Sequence, residues 1–150
     1  MSAEPAAGTF GALSILPGAL ATIERHGEDA FPHECCGALL ISEGAIIEAH
    51  PLANTTEGEA ARRFLVGPDA YREAEAWARS RGGTLGGFYH SHPNHPARPS
   101  QHDLDHAWPN FVYVIVSVMA GAARDITCWR LREDRSAFEQ GDLKSWRTES

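Results

Sequence analysis

His90 and His92 stand one residue apart at the end of the apolar run Gly87-Phe88-Tyr89, and Asp103 follows eleven residues after His92. Residues two apart on a strand project to one face, so both imidazoles can grip one ion while Ser91 points away. Pro93, Pro96 and Pro99 stiffen the return, so that a third ligand arrives preorganised. Ser100 and Asp103, three apart at a helix start, lie on neighbouring parts of its surface. Two imidazole nitrogens, one carboxylate oxygen and a water describe a zinc site with one exchangeable position, the catalytic rather than the structural form. Zinc brings the pKa of such a water from about 15.7 to about 7, which makes hydroxide available at neutral pH.

Each half of this pattern has a plainer reading. His-x-His at an exposed strand end is common and by itself carries little. Ser-x-x-Asp opening a helix is also a capping box, with Ser100 as N-cap and Asp103 satisfying backbone donors. The joint pattern, His-x-His-Pro with a proline-rich return into Ser-x-x-Asp, is far more specific. Competing ligands are His95 in the loop and the pair His102 and His106, four apart on the same helix; His106 could replace Asp103. A water-activating hydrolase also needs a general base, for which Glu24, Glu28, Asp29, Glu34, Glu43 and Glu48 are candidates. Glu34 follows Pro32 and immediately precedes the apolar run from Cys35 to Ile41. A carboxylate at the mouth of a buried strand is partly desolvated, which raises its pKa towards useful values; the plainer alternative is a solvated loop acid.

The elements that must position these residues read as one α+β domain. Leu13–Leu16 is a first strand, and Pro17 opens a helix running to about Gly27. Cys36–Ile41 and Ala45–Ala49 form a hairpin. Residues 51–63 are a polar loop long enough to be functional, and Phe64–Val66 is briefly strand-like. Asp69–Arg81 is a one-sided helix stopped by Gly82-Gly83. Thr84–His90 is a strand, Ser100–Trp108 a short helix ended at Pro109, and Phe111–Met119 and Ile126–Leu131 are strands. The expected organisation is a flexible tail over 1–10, a catalytic domain over 11–135 and a C-terminal tail over 136–150, in which Phe138 and Trp146 are candidates to dock onto the body. This order predicts a mostly antiparallel sheet flanked by helices.

At 150 residues the chain is long enough for a single buried core. Its net charge of −7, with basic residues scattered, argues against nucleic acid as a partner. Three cysteines, two of them adjacent at Cys35 and Cys36, give no disulfide framework and fit a reducing compartment. The start of the chain lacks the pattern of a signal peptide, and Phe111–Ala122 is too short to span a bilayer. A cytoplasmic protein without membrane partners is expected. The oligomeric state is not readable.

His90, Ser91, His92, Pro93, Ser100 and Asp103 match, position by position, the motif of the JAMM (MPN+) metalloprotease family, which the chain resembles over about residues 13–131. Pro32-His33-Glu34-Cys35-Cys36-Gly37 resembles the segment that carries that family's catalytic glutamate. The resemblance implies a cytidine-deaminase-like α+β fold and zinc-dependent hydrolysis of amide or isopeptide bonds. By carry-over, His90, His92 and Asp103 would hold Zn2+, and Glu34 would take a proton from water and deliver it to the leaving amine. The Ser100 hydroxyl would face the metal rather than only cap the helix, donating to the oxyanion, worth ~3 kcal/mol by analogy with other such donors. The short chain resembles stand-alone prokaryotic members, whose substrates are ubiquitin-like proteins, including sulfur carriers ending in Gly-Gly. Such a tail would bind extended at a sheet edge, with loop 51–63 and Arg62–Val66 as walls.

Two other function classes set the alternatives. A non-catalytic scaffold of this fold would bind a ubiquitin-like partner but has no need of Glu34, His90, His92, Ser100 and Asp103 together. A thiol hydrolase would use Cys35 or Cys36 with a nearby histidine. Cys36 also reads as a small buried strand residue.

Overall fold

The computed structural model describes residues 9–53 and 67–145. Among these residues, seven strands and three helices follow in the order β1 (Thr9–Ile15), α1 (Pro17–Ala30), β2 (Cys36–Ser42), β3 (Ala45–Leu52), α2 (Pro68–Ser80), β4 (Leu85–Pro93), α3 (Gln101–Asp105), β5 (Val112–Met119), β6 (Ala122–Leu131) and β7 (Phe138–Ser145). The strands are hydrogen-bonded in the order β1-β3-β2-β4-β5-β6-β7 and close on themselves through a parallel β1–β7 pairing. Four of the seven pairings are antiparallel; β1–β3, β1–β7 and β4–β5 are parallel. This is the expected α+β architecture.

Two apolar layers follow from the alternation of side chains along the strands. One face buries Leu39, Tyr89, Val114, Val116 and Val118 with Ala19 and Ile23 of α1. The other buries Ala38, Leu40, Phe88, Tyr113 and Leu131 with Ala74 and Ala78 of α2. The two-residue hairpin turns, β2–β3 and β5–β6, place two consecutive residues in the left-handed region, Glu43 (φ 50) with Gly44 (φ 77) and Ala120 (φ 51) with Gly121 (φ 87). That geometry matches the twist of the flanking strands.

Several boundaries differ from the sequence expectation; β3, for one, runs to Leu52, two residues into the expected loop 51–63. Helix α1 runs a turn past Gly27, because Gly27 is a packing residue, not a stop: a Cβ there would lie 3.0 Å from Val118 and 3.3 Å from Val116. The first strand begins inside the expected tail, at Thr9. The largest correction concerns the segment expected to be a C-terminal tail, which contributes β7 and closes the sheet between β6 and β1. In Phe-Glu-Gln-Gly-Asp-Leu-Lys-Ser only Phe138 and Leu143 are large and apolar. Backbone pairing on both edges, rather than side-chain burial, therefore defines this strand, and a hydrophobicity pattern does not report it. The loop beyond Ala53, the 64–66 strand and Trp146 lie outside the described residues. Among the described residues, no helix is long and apolar enough to cross a membrane.

Candidate metal centre

Strand β4 is central, paired antiparallel to β2 and parallel to β5. Phe88, His90 and His92 share one of its faces, and the apolar layer under α2 therefore gives way to imidazoles at the strand's end. There His90 Nε2 and His92 Nε2 approach to 3.1 Å. The Asp103 carboxylate closes the group, Oδ1 at 3.2 Å from His90 Nε2 and Oδ2 at 3.1 Å from His92 Nε2. One donor atom from each of the three residues lies within 4.8 Å of the others. All three side chains are at most 9% exposed.

The surroundings fix how these atoms point. His92 Nδ1 donates to the Pro96 carbonyl at 2.9 Å, so Nε2 is the nitrogen that faces the group, donating to Asp103 when it carries a proton and offering a lone pair when it does not. Asp103 Oδ2 accepts from the Ser100 backbone N–H at 2.8 Å. Burial works to raise the Asp103 pKa, but the His90 charge, hydrogen bonds from both imidazoles and the Ser100 N–H outweigh it and hold the carboxyl well below the usual range. Burial likewise disfavours charge on His92, but the Asp103 hydrogen bond, the Pro96 carbonyl and the charges of Asp103 and Glu34 leave its pKa raised. Two buried imidazoles and an ionised carboxylate aimed at one point form a donor set suited to a divalent cation, and to zinc by its nitrogen content.

Glu34 and Ser100 share a cavity of about 490 Å³ with His92, His95, Pro96, Arg98, Gln101 and His102. Glu34 is carried by the short link between α1 and β2. Its neighbour Cys35 is gripped twice by Ser91, whose backbone N–H donates to the Cys35 carbonyl at 3.1 Å and whose Oγ accepts from the Cys35 N–H at 2.9 Å. Ser91, pointing away from the imidazoles, thus registers the Glu34 segment against the histidine strand. Three of the other candidate acids lie elsewhere: Glu48 pairs with Arg81, Glu28 accepts from the Ala123 N–H, and Asp29 lines a separate cavity with Arg25 and His26.

Ser100 has a double assignment. Its Oγ accepts from the Asp103 N–H at 3.1 Å while Asp103 accepts from its backbone N–H, a complete capping box for α3. Capping uses an oxygen lone pair, and the hydroxyl proton stays available for donation into the cavity. Helix α3 is shorter than expected, five residues to Asp105, and the Trp108 end is instead held by Tyr113. His106 does not join the group: its Nδ1 donates to the His102 carbonyl, and its ring lies against that of His102, tilted by 38° with centroids 4.4 Å apart.

Sequence reasoning missed the groups that hold the return loop. The Ser117 hydroxyl donates to the His95 carbonyl at 2.7 Å and that of Thr127 to the Ala97 carbonyl at 2.6 Å. The prolines signalled stiffness but not its anchors, which come from two later strands.

The family model for prokaryotic homologs of the JAB domain matches residues 17–132. The desampylase of Haloferax volcanii is 32% identical over 116 residues, which cover 73% of this chain and 83% of the relative. The solution structure of a Salinibacter ruber protein is similar at a TM-score of 0.69 and 39% identity, covering 92% of this chain and 94% of that one. A structure described as "JAMM: A Metalloprotease-like Zinc Site in the Proteasome and Signalosome" shares the fold at a TM-score of 0.57 and 21% identity, covering 91% and 99%. With most of its length matched in this way, the chain belongs to the family of prokaryotic JAB-domain homologs, as one of the small JAMM/MPN proteins.

Proposed function

We propose that this protein is a zinc-dependent hydrolase of peptide or isopeptide bonds that processes the Gly-Gly end of a ubiquitin-like or sulfur-carrier protein or its conjugates. The observation that carries the reading is the convergence of His90, His92 and Asp103 beside a cavity walled by Glu34 and Ser100. Kinship to a desampylase supports a ubiquitin-like substrate, and likeness to a metalloprotease-like zinc site supports the metal.

His90 and His92 through Nε2, and Asp103 through its carboxylate, would hold zinc, which would supply a Lewis acid and lower the pKa of water at the site. Glu34 takes a proton from the attacking water as its oxygen bonds to the carbonyl carbon. Ser100 donates its hydroxyl proton in a hydrogen bond to the oxygen on which negative charge grows. Glu34 then passes its proton to the leaving nitrogen as the C–N bond breaks, so one water is consumed and an acid and an amine are released.

The test pairs the purified protein with a Gly-Gly-ended carrier fused to a C-terminal extension, read by intact mass with and without a chelator. Cleavage after the second glycine, lost on chelation and restored by zinc, is the expected result. Glu34→Gln is expected to keep its zinc and lose about 10²–10⁴-fold in kcat. Retained turnover in Glu34→Gln would show that the base is another group.

A further inference from the structure

The sheet face that bears the imidazoles continues sideways. Across the ladders, His92 pairs with Ser117 of β5, and His90 pairs with Ile115, which in turn pairs with Thr127 of β6. Residues in register share a face, so Ser117 and Thr127 rise beside the histidines, and both hydroxyls are spent on the return loop. Three consecutive loop carbonyls are each held by a side chain from a different strand: His95 by Ser117 at 2.7 Å, Pro96 by His92 at 2.9 Å and Ala97 by Thr127 at 2.6 Å. Thr127 is itself oriented, because the Trp129 indole N–H donates to its Oγ1 at 2.7 Å. That donation takes up an oxygen lone pair and turns the hydroxyl proton towards Ala97, giving a relay in which each bond polarises the next.

The middle carbonyl is the one that matters to the metal ligand. Pro96 accepts both His92 Nδ1–H and, at 2.8 Å, the Arg98 N–H. It fixes the His92 tautomer only while it is held at hydrogen-bond distance. A carbonyl on a free loop would trade places with water, and His92 could then carry its proton on either nitrogen. Ser117 and Thr127 pin the residues on both sides of Pro96, and Ala97 is buried.

Resting on the zinc reading above, we propose that Thr127, oriented by Trp129, and Ser117 are positioning residues for the metal site: they clamp His95 and Ala97 so that the Pro96 carbonyl holds the His92 lone pair on the ion.

The experiment compares wild type, Thr127→Val, Thr127→Ser and Ser117→Ala by two readouts. One is zinc affinity against a chromogenic chelator. The other, in zinc-free protein, is the 15N–1H signal of the His92 Nδ1–H and its exchange with water. Thr127→Val is expected to bind zinc about 10-fold more weakly, at the low end for groups supporting a ligand, and to exchange the Nδ1 proton faster. Thr127→Ser, which keeps the hydroxyl, is expected to restore both. Wild-type zinc affinity with a slowly exchanging Nδ1 proton in Thr127→Val would overturn the proposal. Should Thr127→Val fail to fold, Ser117→Ala decides by the same readouts, with weakening in the same direction expected. A wild-type protein that binds no zinc would remove the metal reading alone, since the Nδ1 proton still reports whether the clamp exists.

Discussion

Cys36 and His90 face each other across the β2–β4 ladder, and both belong to residue types that can ligate a metal or attack a carbonyl. Their surroundings separate them. Cys36 is fully buried among Ala38, Leu40 and Phe88, and burial, with smaller contributions from Cys35 and Glu73, pushes its thiol far above the ordinary range. Its sulfur is not among the atoms that converge. His90 is also nearly buried, but its Nε2 meets a carboxylate and a second imidazole. Two neighbours on one face therefore have opposite fates, decided by the third partner each finds. A polar side chain in an apolar layer becomes a site only where other side chains compensate for its desolvation.

The strongest way to break this comparison is to remove the imidazole. His90→Ala is expected to lose both stoichiometric zinc, by elemental analysis, and all measurable hydrolysis. It would leave two ligands, and a His90→Ala protein that retained a full zinc equivalent at unchanged affinity would move the centre elsewhere.

Ser100→Ala sharpens the picture at intermediate size. Losing the hydroxyl is expected to lower kcat by about 10²-fold, in line with oxyanion donors elsewhere. It also removes one half of the capping box, a cost of about 1 kcal/mol, read as a melting midpoint lower by about 2–4 °C. The backbone N–H that supports Asp103 is untouched, so zinc content should not change. A drop in the midpoint without a drop in kcat would confine Ser100 to the cap.

Much of this site could be read from the sequence because its parts are local. Period-two spacing put His90 and His92 on one face, and the prolines with Ser100 set the return of Asp103. Glu34 was legible from position, before an apolar run, and from the resemblance of its segment to that of a known family, not from spacing; its placement depends on Ser91 gripping Cys35, fifty-six residues away in sequence. Thr127 and Ser117 were invisible for the same reason, since only the register of β4, β5 and β6 makes them neighbours. Strand β7 hides in a polar segment, and Gly27 looks like a helix stop until Val116 and Val118 are packed against it. Local chemistry shows in spacing, whereas cross-strand placement appears only once the sheet is assembled.

The smallest expected effect tests the cysteine side of the comparison. Thiolate, not thiol, is the nucleophile. Burial, partly offset by hydrogen bonding with Ser91, pushes the Cys35 thiol up to about 11, and burial pushes Cys128 to about 12. At pH 8 the ionised fraction of Cys35 is then on the order of 1 in 10³, against roughly a quarter for a free cysteine. The folded protein treated with iodoacetamide at pH 8 is therefore expected to keep its mass and its hydrolytic rate. The same treatment in denaturant should add three carbamidomethyl groups, one for each of Cys35, Cys36 and Cys128. Rapid native modification that abolished activity, in a protein indifferent to chelators, would instead put a thiol at the centre of the reaction and reverse the roles assigned to the two sides of the β2–β4 ladder.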